Sequence, residues 1–467
     1  MGRYAYQPLP AGTIIASSRG PPSILPILRI GQTTLHNPAA APQRINLEQK
    51  IKGPSQRRLI AAGVIGNVLE WYDFSIYGYF ASSIGHHFFP SQNPTLSLIA
   101  AFGVFSAGFL TRPLGALLFG YIADHRSRER ALMFSILAMA IPTFITGLLP
   151  DYQRIGVAAA ILMVLLRLIQ GLSAGGEYTT SIVFLAERSV HHRRGLTASV
   201  GLFGSIAGGM LGSAVGATLG ALMSPQQLSA WGWRLPFLFG IVLALVGVLL
   251  RRELQHSDEL PARSGTTIRQ VLITQWSAIL RVMGFEILEA VGFYTTFIYL
   301  ATYLTTVVHL PVREAFAVNA LSMGFVLMII PIAGMFSDRL GRKPVLLTAA
   351  ISAILFAWPL FRLFQHATFG FALAGEMGLA AIIGCYEGAT PAAVAEAFPA
   401  SVRGTSVGVA FNLSMMLFGG TTPIVATYLI ARTNNVMAPA IYLMGAGVIA
   451  GLVVVTLPER SQIPLDV

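Results

Sequence analysis

Glu70, Asp73, Arg112 and Glu177 each stand inside a long, mostly apolar run of the chain, where an ionisable side chain has chemical consequences. A carboxyl group in such surroundings can pick up and release a proton, because burial disfavours its charged form and an approaching arginine restores it. A guanidinium can hold a carboxylate on two parallel hydrogen bonds. Glu70 and Asp73 are one turn apart on one helical face. Either they and Glu177 carry a proton, or Arg112 makes a fixed ion pair with Glu70 or Asp73 that only joins two helices. Arg112 and Arg167 suit a carboxylate-bearing solute, although Arg167 can equally sit at the exit. Gln170, Tyr77, Tyr294 and Glu387 complete the set expected to touch the solute, with Glu387 alternatively a plain hydrogen-bond acceptor. The aromatic rings of Tyr72, Tyr77, Phe293, Tyr294 and Tyr303 offer stacking surfaces for an organic or quaternary-ammonium group.

The elements that position these residues follow from composition. The chain has 467 residues, 54% hydrophobic and 11% charged, against about 25% charged in soluble domains. A cytosolic enzyme is therefore not expected, and no nucleophile with a base, phosphate loop or metal cluster stands out. His86-His87 and His191-His192 lack carboxylate or cysteine partners at usable spacing, so no metal and no cofactor are expected. The single cysteine, Cys385, excludes an intramolecular disulfide. Net charge is +11, most of it in Arg3, Arg19, Arg29, Arg44, Lys50, Lys52, Arg57 and Arg58. In a membrane protein such an excess reflects positive-inside bias and attraction to anionic lipid, not nucleic acid.

From Leu59 onward, apolar runs of about 20 residues recur between short polar breaks. The expected fold is an all-α membrane protein of twelve transmembrane helices, in two six-helix bundles related by pseudo-two-fold symmetry. The expected units are a basic, Pro-rich, disordered arm over 1–58, a first bundle over 59–250, a cytoplasmic linker over 251–275, a second bundle over 276–457 and a short tail over 458–467. Lys and Arg concentrate in alternate loops: Arg126, Arg128, Arg130, Arg188, Arg193, Arg194, Arg251, Arg252, Arg263, Arg269, Arg339, Arg342, Lys343 and Arg403 against Arg154, Arg313, Arg362 and Arg432. That bias puts both termini in the cytoplasm, with the bilayer as partner and a monomer as the working unit. At 1.5 Å per residue, Glu70, Arg112 and Glu177 lie roughly 16 to 18 Å from their inner ends, near the middle of a core about 30 Å thick. Each costs on the order of 3 kcal/mol there unless it faces a cavity or partner, so they should point inward.

Internal repeats support two bundles. Gly120-Tyr-Ile-Ala-Asp124-His-Arg126-Ser-Arg128 corresponds to Gly334-Met-Phe-Ser-Asp338-Arg339-Leu-Gly341-Arg342-Lys343, and Glu187 with Arg194 corresponds to Glu396 with Arg403 at the same spacing of seven. A third pairing sets Glu70 and Asp73 against Glu286 and Glu289. Asp124 and Asp338 are expected to cap helix ends and pair with the neighbouring Arg126, Arg128, Arg339 and Arg342. With Glu187, Arg194, Glu396 and Arg403 they form gating loops. Gly204, Gly208, Gly212, Gly216 and Gly220 recur every four residues, leaving a groove for close helix packing or for sliding.

The Gly-x-x-x-Asp-Arg-x-Gly-Arg-Lys string at 334–343 resembles the hallmark loop of the major facilitator superfamily, with His125 and Ser127 departing from it in the first half. More specific strings resemble the metabolite:proton symporter branch, which includes proline/betaine, citrate, ketoglutarate and shikimate carriers. They are Gly66-Asn67-x-x-Glu70-Trp71-Tyr72-Asp73-Phe74, Arg112-Pro113-Leu114-Gly115, Arg167-x-x-Gln170-Gly171, Gly175-Gly176-Glu177 and Phe418-Gly419-Gly420. The resemblance implies a secondary carrier of the inner (plasma) membrane, coupling a small carboxylate-bearing or zwitterionic metabolite to proton entry by alternating access. The alternative is a transporter-like sensor or receptor that no longer turns over.

Overall fold

The computed structural model describes residues 56–125, 128–175, 177–252 and 268–465. The arm over 1–55 and most of the 251–275 connection lie outside the described residues, as do the side chains of Asp124, Arg126, Arg128 and Glu177. All regular structure among the described residues is helical.

Polarity is reversed relative to a soluble protein. Leu245, Leu355 and Leu452 are 58%, 61% and 67% exposed, whereas Arg112 and Arg167 are each 1% exposed. Such a surface is stable only in hydrocarbon. Eight helical stretches among the described residues are long and apolar enough to cross a bilayer: Pro94–Phe119, Arg194–Leu222, Arg269–Thr306, Val312–Leu340, Arg342–Phe364, Phe369–Glu396, Ala400–Thr433 and Ala438–Val455. Shorter apolar helices cover Met133–Leu148, Val157–Ser173 and Gly232–Val242, and the Gln56–Tyr79 helix carries Glu70 and Asp73.

Helix interruptions fall where functional side chains are placed. Pro113 has no N–H to donate to the Phe109 carbonyl, and the Pro94–Leu110 helix ends before it, with Thr111 Oγ1 donating to the Leu168 carbonyl at 2.8 Å. The next helix begins at Arg112. π-helical turns cover Tyr294–Tyr299 and Met415–Gly419; each inserts an extra residue per turn and re-aims the side chains that follow. Gly341, at φ +100°, makes the tight link between Val312–Leu340 and Arg342–Phe364, a conformation that glycine adopts without strain.

Two boundaries differ from the sequence expectation. Helix resumes at Ile268, inside the stretch read as linker, because Val271 finds a buried place. Within the stretch read as the first bundle, Arg234 closes a short 3-10 turn before Leu235 and donates to the Leu149 carbonyl at 2.6 Å. It joins Arg154 at that end of the molecule.

The glycine stripe lies between the two halves of the sequence. A Cβ on Gly208 would strike the Val68 carbonyl and one on Gly212 would meet Ile76 at 3.1 Å. On Gly216 and Gly220 it would meet Phe316 at 2.7 Å and Arg313 at 2.9 Å. The Phe203–Leu222 helix is thus clamped between Gln56–Tyr79 and Val312–Leu340. Gly208→Leu forces backbones apart and should destabilise the detergent-solubilised protein by about 1–3 kcal/mol, read as a lowered melting temperature. An unchanged melting temperature would contradict the clamp.

Candidate functional site

Two ion pairs occupy the interior of the first half. Asp73, 1% exposed, accepts from Arg167 Nη1 at 2.7 Å, Gln170 Nε2 at 2.7 Å and Thr143 Oγ1 at 2.6 Å. The Arg167 guanidinium also lies 4.3 Å from the Phe74 ring centroid and 4.5 Å from that of Tyr77, a cation–π setting suited to a desolvated charge. Glu70 pairs with Arg112, which stands 5.0 and 5.1 Å from the ring centroids of Phe74 and Phe109. Neither guanidinium is fully satisfied: Arg112 Nε and Nη1 and Arg167 Nε and Nη2 are buried without a hydrogen-bond partner.

Small residues permit this crowding. A Cβ on Gly171 would strike the Gly108 carbonyl, and one on Gly175 the Arg112 carbonyl. The Val157–Ser173 helix therefore approaches the Arg112 bend closely enough for Arg167, Gln170 and Arg112 to reach the Gln56–Tyr79 helix. Gly419 and Gly420 act similarly, since Cβ atoms there would meet the rings of Tyr294 and Phe109 at 2.8 and 2.6 Å.

A small cavity, about 10 Å³, lies between the halves. Trp71, Leu202, Ser205 and Ile206 line it from the first half, and Glu289, Phe293, Tyr294, Glu387, Phe411 and Met415 from the second. It holds at most one water, so a solute enters only when the halves part. Its rings are in contact, with Trp71 and Phe293 centroids 5.0 Å apart, and both π-helical turns open at a lining residue, Tyr294 and Met415. The polar lining is acidic: Glu289 Oε2 and Glu387 Oε2 are buried without a hydrogen-bond partner. The Tyr294 hydroxyl lies beside Arg112, which links the cavity to the first ion pair.

A second charged network closes one end. The repeated pairs join reciprocally: Arg194 Nη1 donates to Glu396 at 2.6 Å, and Arg403 Nη1 to Glu187 at 2.7 Å. Arg342 donates to Glu396 at 3.0 Å and to Asp338 at 2.9 Å. Asp338 also accepts from the backbone amides of Gly195 and Leu196 at 2.7 and 3.0 Å, satisfying the first turn of a helix in the other half. The tail lies over this network, with Arg194 Nη2 donating to the Ile463 carbonyl at 3.0 Å and Gln462 Nε2 to that of Asp338 at 3.1 Å. Burial pushes the Glu459 carboxyl up, but hydrogen bonds from the backbone amides of Lys343, Arg342 and Ser461 hold it below the usual range.

The structure brings Glu70, Asp73, Arg112, Arg167 and Gln170 together, and places Tyr294 and Glu387 on the cavity. Tyr77 lies under Arg167 and donates to the Ala101 carbonyl at 3.2 Å, so it positions the guanidinium and does not line the cavity. Tyr72 and Tyr303 likewise point away, donating to the carbonyls of Pro236 and Val436. Arg339 is exposed and outside the charged network. Asp124, Arg126, Arg128 and Glu177 fall on side chains that are not described. Sequence reasoning left Trp71, Ser205, Phe411 and Met415 without a role. It noted Glu289 only as a repeat partner, a signal that pointed to the right helix face.

The profile of the Major Facilitator Superfamily matches residues 63–413. The chain is 35% identical over 424 residues to the glycine betaine/proline/ectoine/pipecolic acid transporter OusA of Dickeya dadantii (strain 3937), covering 88% of this chain and 84% of that protein. It is 34% identical to the proline/betaine transporter of Escherichia coli (strain K12), covering 88% and 85%. It is 35% identical to the citrate-proton symporter of Klebsiella pneumoniae, covering 86% and 91%. The crystal structure of a D-xylose-proton symporter superposes with a TM-score of 0.69 at 18% identity, covering 88% of this chain and 98% of that one. At that identity the likeness speaks for the fold alone.

Glu396 is the acceptor shared by Arg194 and Arg342, so Glu396→Gln leaves two buried guanidiniums short of negative charge. Losing one side of such a pair costs about 3–5 kcal/mol. The variant should populate the form open at this end, seen as longer distances between nitroxide labels at the exposed Val190 and Leu340. A distance distribution identical to the parent would contradict a latching role.

Proposed function

This chain belongs to the Major Facilitator Superfamily, and from that premise we propose how it carries its solute. It is a secondary active transporter that couples a small metabolite to protons, as its transporter-named relatives support over a sensor that no longer turns over. Twelve spans form two six-helix bundles, over 59–250 and 276–457, joined by the 251–275 linker. The Lys and Arg distribution supports placing the charged end at the cytoplasmic face of an inner membrane, with both termini inside and the opposite end facing out. A monomer contains every residue the mechanism uses.

One observation carries the choice of solute. Among the described residues the cavity lining holds two carboxyl groups and four aromatic side chains and no basic side chain, a surface that favours a positive head group and repels a polyanion. The unsatisfied Arg112 donors lie just beyond Tyr294, where a carboxylate fits once that ring swings aside. A zwitterion satisfies both: its ammonium against Trp71, Phe293, Glu289 and Glu387, its carboxylate towards Arg112. This favours an amino-acid or betaine-type solute, such as the relatives' proline and betaine, over citrate.

Asp73 is the proton carrier. In the closed form both its oxygens are held by Arg167, Gln170 and Thr143, so Arg167 can leave only if a proton replaces it. Protonation from outside frees Arg167, the halves rock, and release of the proton inside restores the pair. Glu70, paired with Arg112, tunes the carboxylate subsite, and Glu177 stands as a further proton-coupling residue on the fourth span. The charged network of Asp338, Arg342, Glu187, Arg194, Glu396 and Arg403 holds the inner end shut, with Asp124, Arg126, Arg128 and Arg339 in the same gating loops.

Vesicles preloaded with buffer should accumulate labelled proline or glycine betaine when an inward proton gradient is imposed, and citrate should show no such uptake. Asp73→Asn should abolish accumulation while leaving solute counterflow. Trp71→Ala should weaken betaine binding by about 2 kcal/mol, roughly thirty-fold. Citrate uptake without betaine uptake would overturn the solute assignment, and gradient-driven accumulation in Asp73→Asn would overturn the proton carrier.

A further inference from the structure

A second cavity, about 60 Å³, lies at the end closed by the charged network, and the transport scheme leaves it unused. Arg281 of the Ile268–Phe293 helix, Arg342 and Lys343 at the start of the Arg342–Phe364 helix, and Arg460 of the tail line it, with Glu396 on its acidic side. Arg281 and Arg460 are both exposed, so the cavity reaches the surface. It has room for a group of several heavy atoms, which the cavity beside Trp71 does not.

Among the described residues, three of these four cations meet no carboxylate. Arg281 donates Nε to the Ser277 carbonyl of its own helix at 3.3 Å, Lys343 Nζ donates to the Val455 carbonyl, and Arg460 Nη1 donates to the Glu396 backbone carbonyl at 3.1 Å. A carbonyl accepts a hydrogen bond but sets no charge against the cation. Arg342 does meet acids, and it shares them: Glu396 also serves Arg194, and Asp338 also takes the amides of Gly195 and Leu196. Glu459 is turned to the backbone amides of Arg342 and Lys343, at 3.1 and 2.9 Å. In this cluster Arg194, Arg281, Arg342, Lys343 and Arg460 thus stand against Asp338, Glu396 and Glu459, an excess of two positive charges.

An apolar face leads up to the cavity. A Cβ on Gly284 would meet Val453 at 2.8 Å, so Gly284 is level with the last turn of the Ala438–Val455 helix. Residues 268–280 continue past that level as about 20 Å of helix. Leu272, Ile273, Trp276 and Leu280 are exposed along it, at a spacing that puts them on one side, and Arg281 follows directly. Such a stripe is unfavourable in water. Acyl chains cover it, and a tryptophan suits the level of the head groups.

We propose that this cavity binds the phosphate of an anionic phospholipid, whose chains lie along Leu272, Ile273, Trp276 and Leu280. Guanidiniums match phosphate oxygens on paired hydrogen bonds, and basic pockets between spanning helices suit anionic head groups. A free phosphate satisfies the same cations but leaves the apolar face uncovered. The bound phosphate joins Arg281 on a helix to Arg460 on the tail. The tail's Ile463 carbonyl accepts from Arg194 of the other half at 3.0 Å, so fixing the tail holds this end shut.

The test is binding of dihexanoyl phosphatidylglycerol to the purified protein in an uncharged detergent, read by native mass spectrometry with neither solute nor pH gradient. The parent should bind it at least about tenfold more tightly than dihexanoyl phosphatidylcholine, whose head group brings its own cation. Arg281→Gln and Arg460→Gln should each weaken binding about fivefold. Arg269 is exposed on the same helix but outside the cavity, and Arg269→Gln should weaken it less than about twofold. Equal losses in Arg269→Gln and Arg281→Gln would reduce the site to diffuse surface charge and overturn the proposal. Displacement of the lipid by inorganic phosphate at equal concentration would overturn the lipid as the source of the phosphate. Hydrogen–deuterium exchange over residues 456–463 should slow when the lipid is added, and unchanged exchange would overturn the tail's part in the site. These readouts do not depend on which solute is carried or which carboxyl moves the proton, so their failure is distinguishable from failure of the transport scheme.

Discussion

A charge taken out of water into hydrocarbon must meet a partner, and this protein meets that constraint differently in its two halves. In the first half, Arg112 and Arg167 are each matched by a carboxylate, Glu70 and Asp73. In the second half, Glu286, Glu289, Glu376 and Glu387 are all buried, and among the described residues none pairs with a basic side chain. Among the described residues, these charges of the first half are neutral by internal pairing. The second becomes neutral only by receiving something, either protons or the positive end of a solute.

That asymmetry gives alternating access a physical basis. The cavity borders both kinds of group: Tyr294 stands between the unsatisfied donors of Arg112 and the acceptors of Glu289 and Glu387. A molecule with a charge of each sign complements both sides at once, so its binding energy is available only when the halves close around it. In the proposed scheme the charged network at the other level resists opening without cargo. Its reciprocal pairs, Arg194 with Glu396 and Arg403 with Glu187, tie each half to the other through residues that are equivalent in the internal repeat.

Much of this was legible in the sequence because hydrocarbon makes ionisable residues conspicuous. Depth counting along helices put Glu70, Arg112 and Glu177 at one level; the structure buries Glu70 and Arg112, and the Glu177 side chain is not among those described. The repeat of Glu187 and Arg194 as Glu396 and Arg403 identified the closing network, and Asp338 caps a helix as its loop position indicated. Which arginine meets which acid was not legible. Arg167, counted from its inner end, stood near the exit, yet the glycines of its helix and the bend at Thr111 bring it onto Asp73. Counting along an axis fixes height but not rotation, so Tyr77 and Tyr72 were expected to line the cavity when they face neighbouring helices. The π-helical turns at Tyr294 and Met415 shift that rotation again and leave no mark in a hydropathy pattern.

The claim on which the rest depends is that the unpaired carboxyl groups of the second half receive the cationic end of the solute. Glycine betaine and 3,3-dimethylbutyrate have nearly the same shape and the same carboxylate, but the second has carbon where the first has a positive nitrogen. Competition of each against labelled glycine betaine on the purified protein isolates that one charge. The account predicts that dimethylbutyrate fails to displace the label even at about hundredfold excess, a difference of some 2.7 kcal/mol or more. Displacement by both compounds at similar concentrations would contradict it.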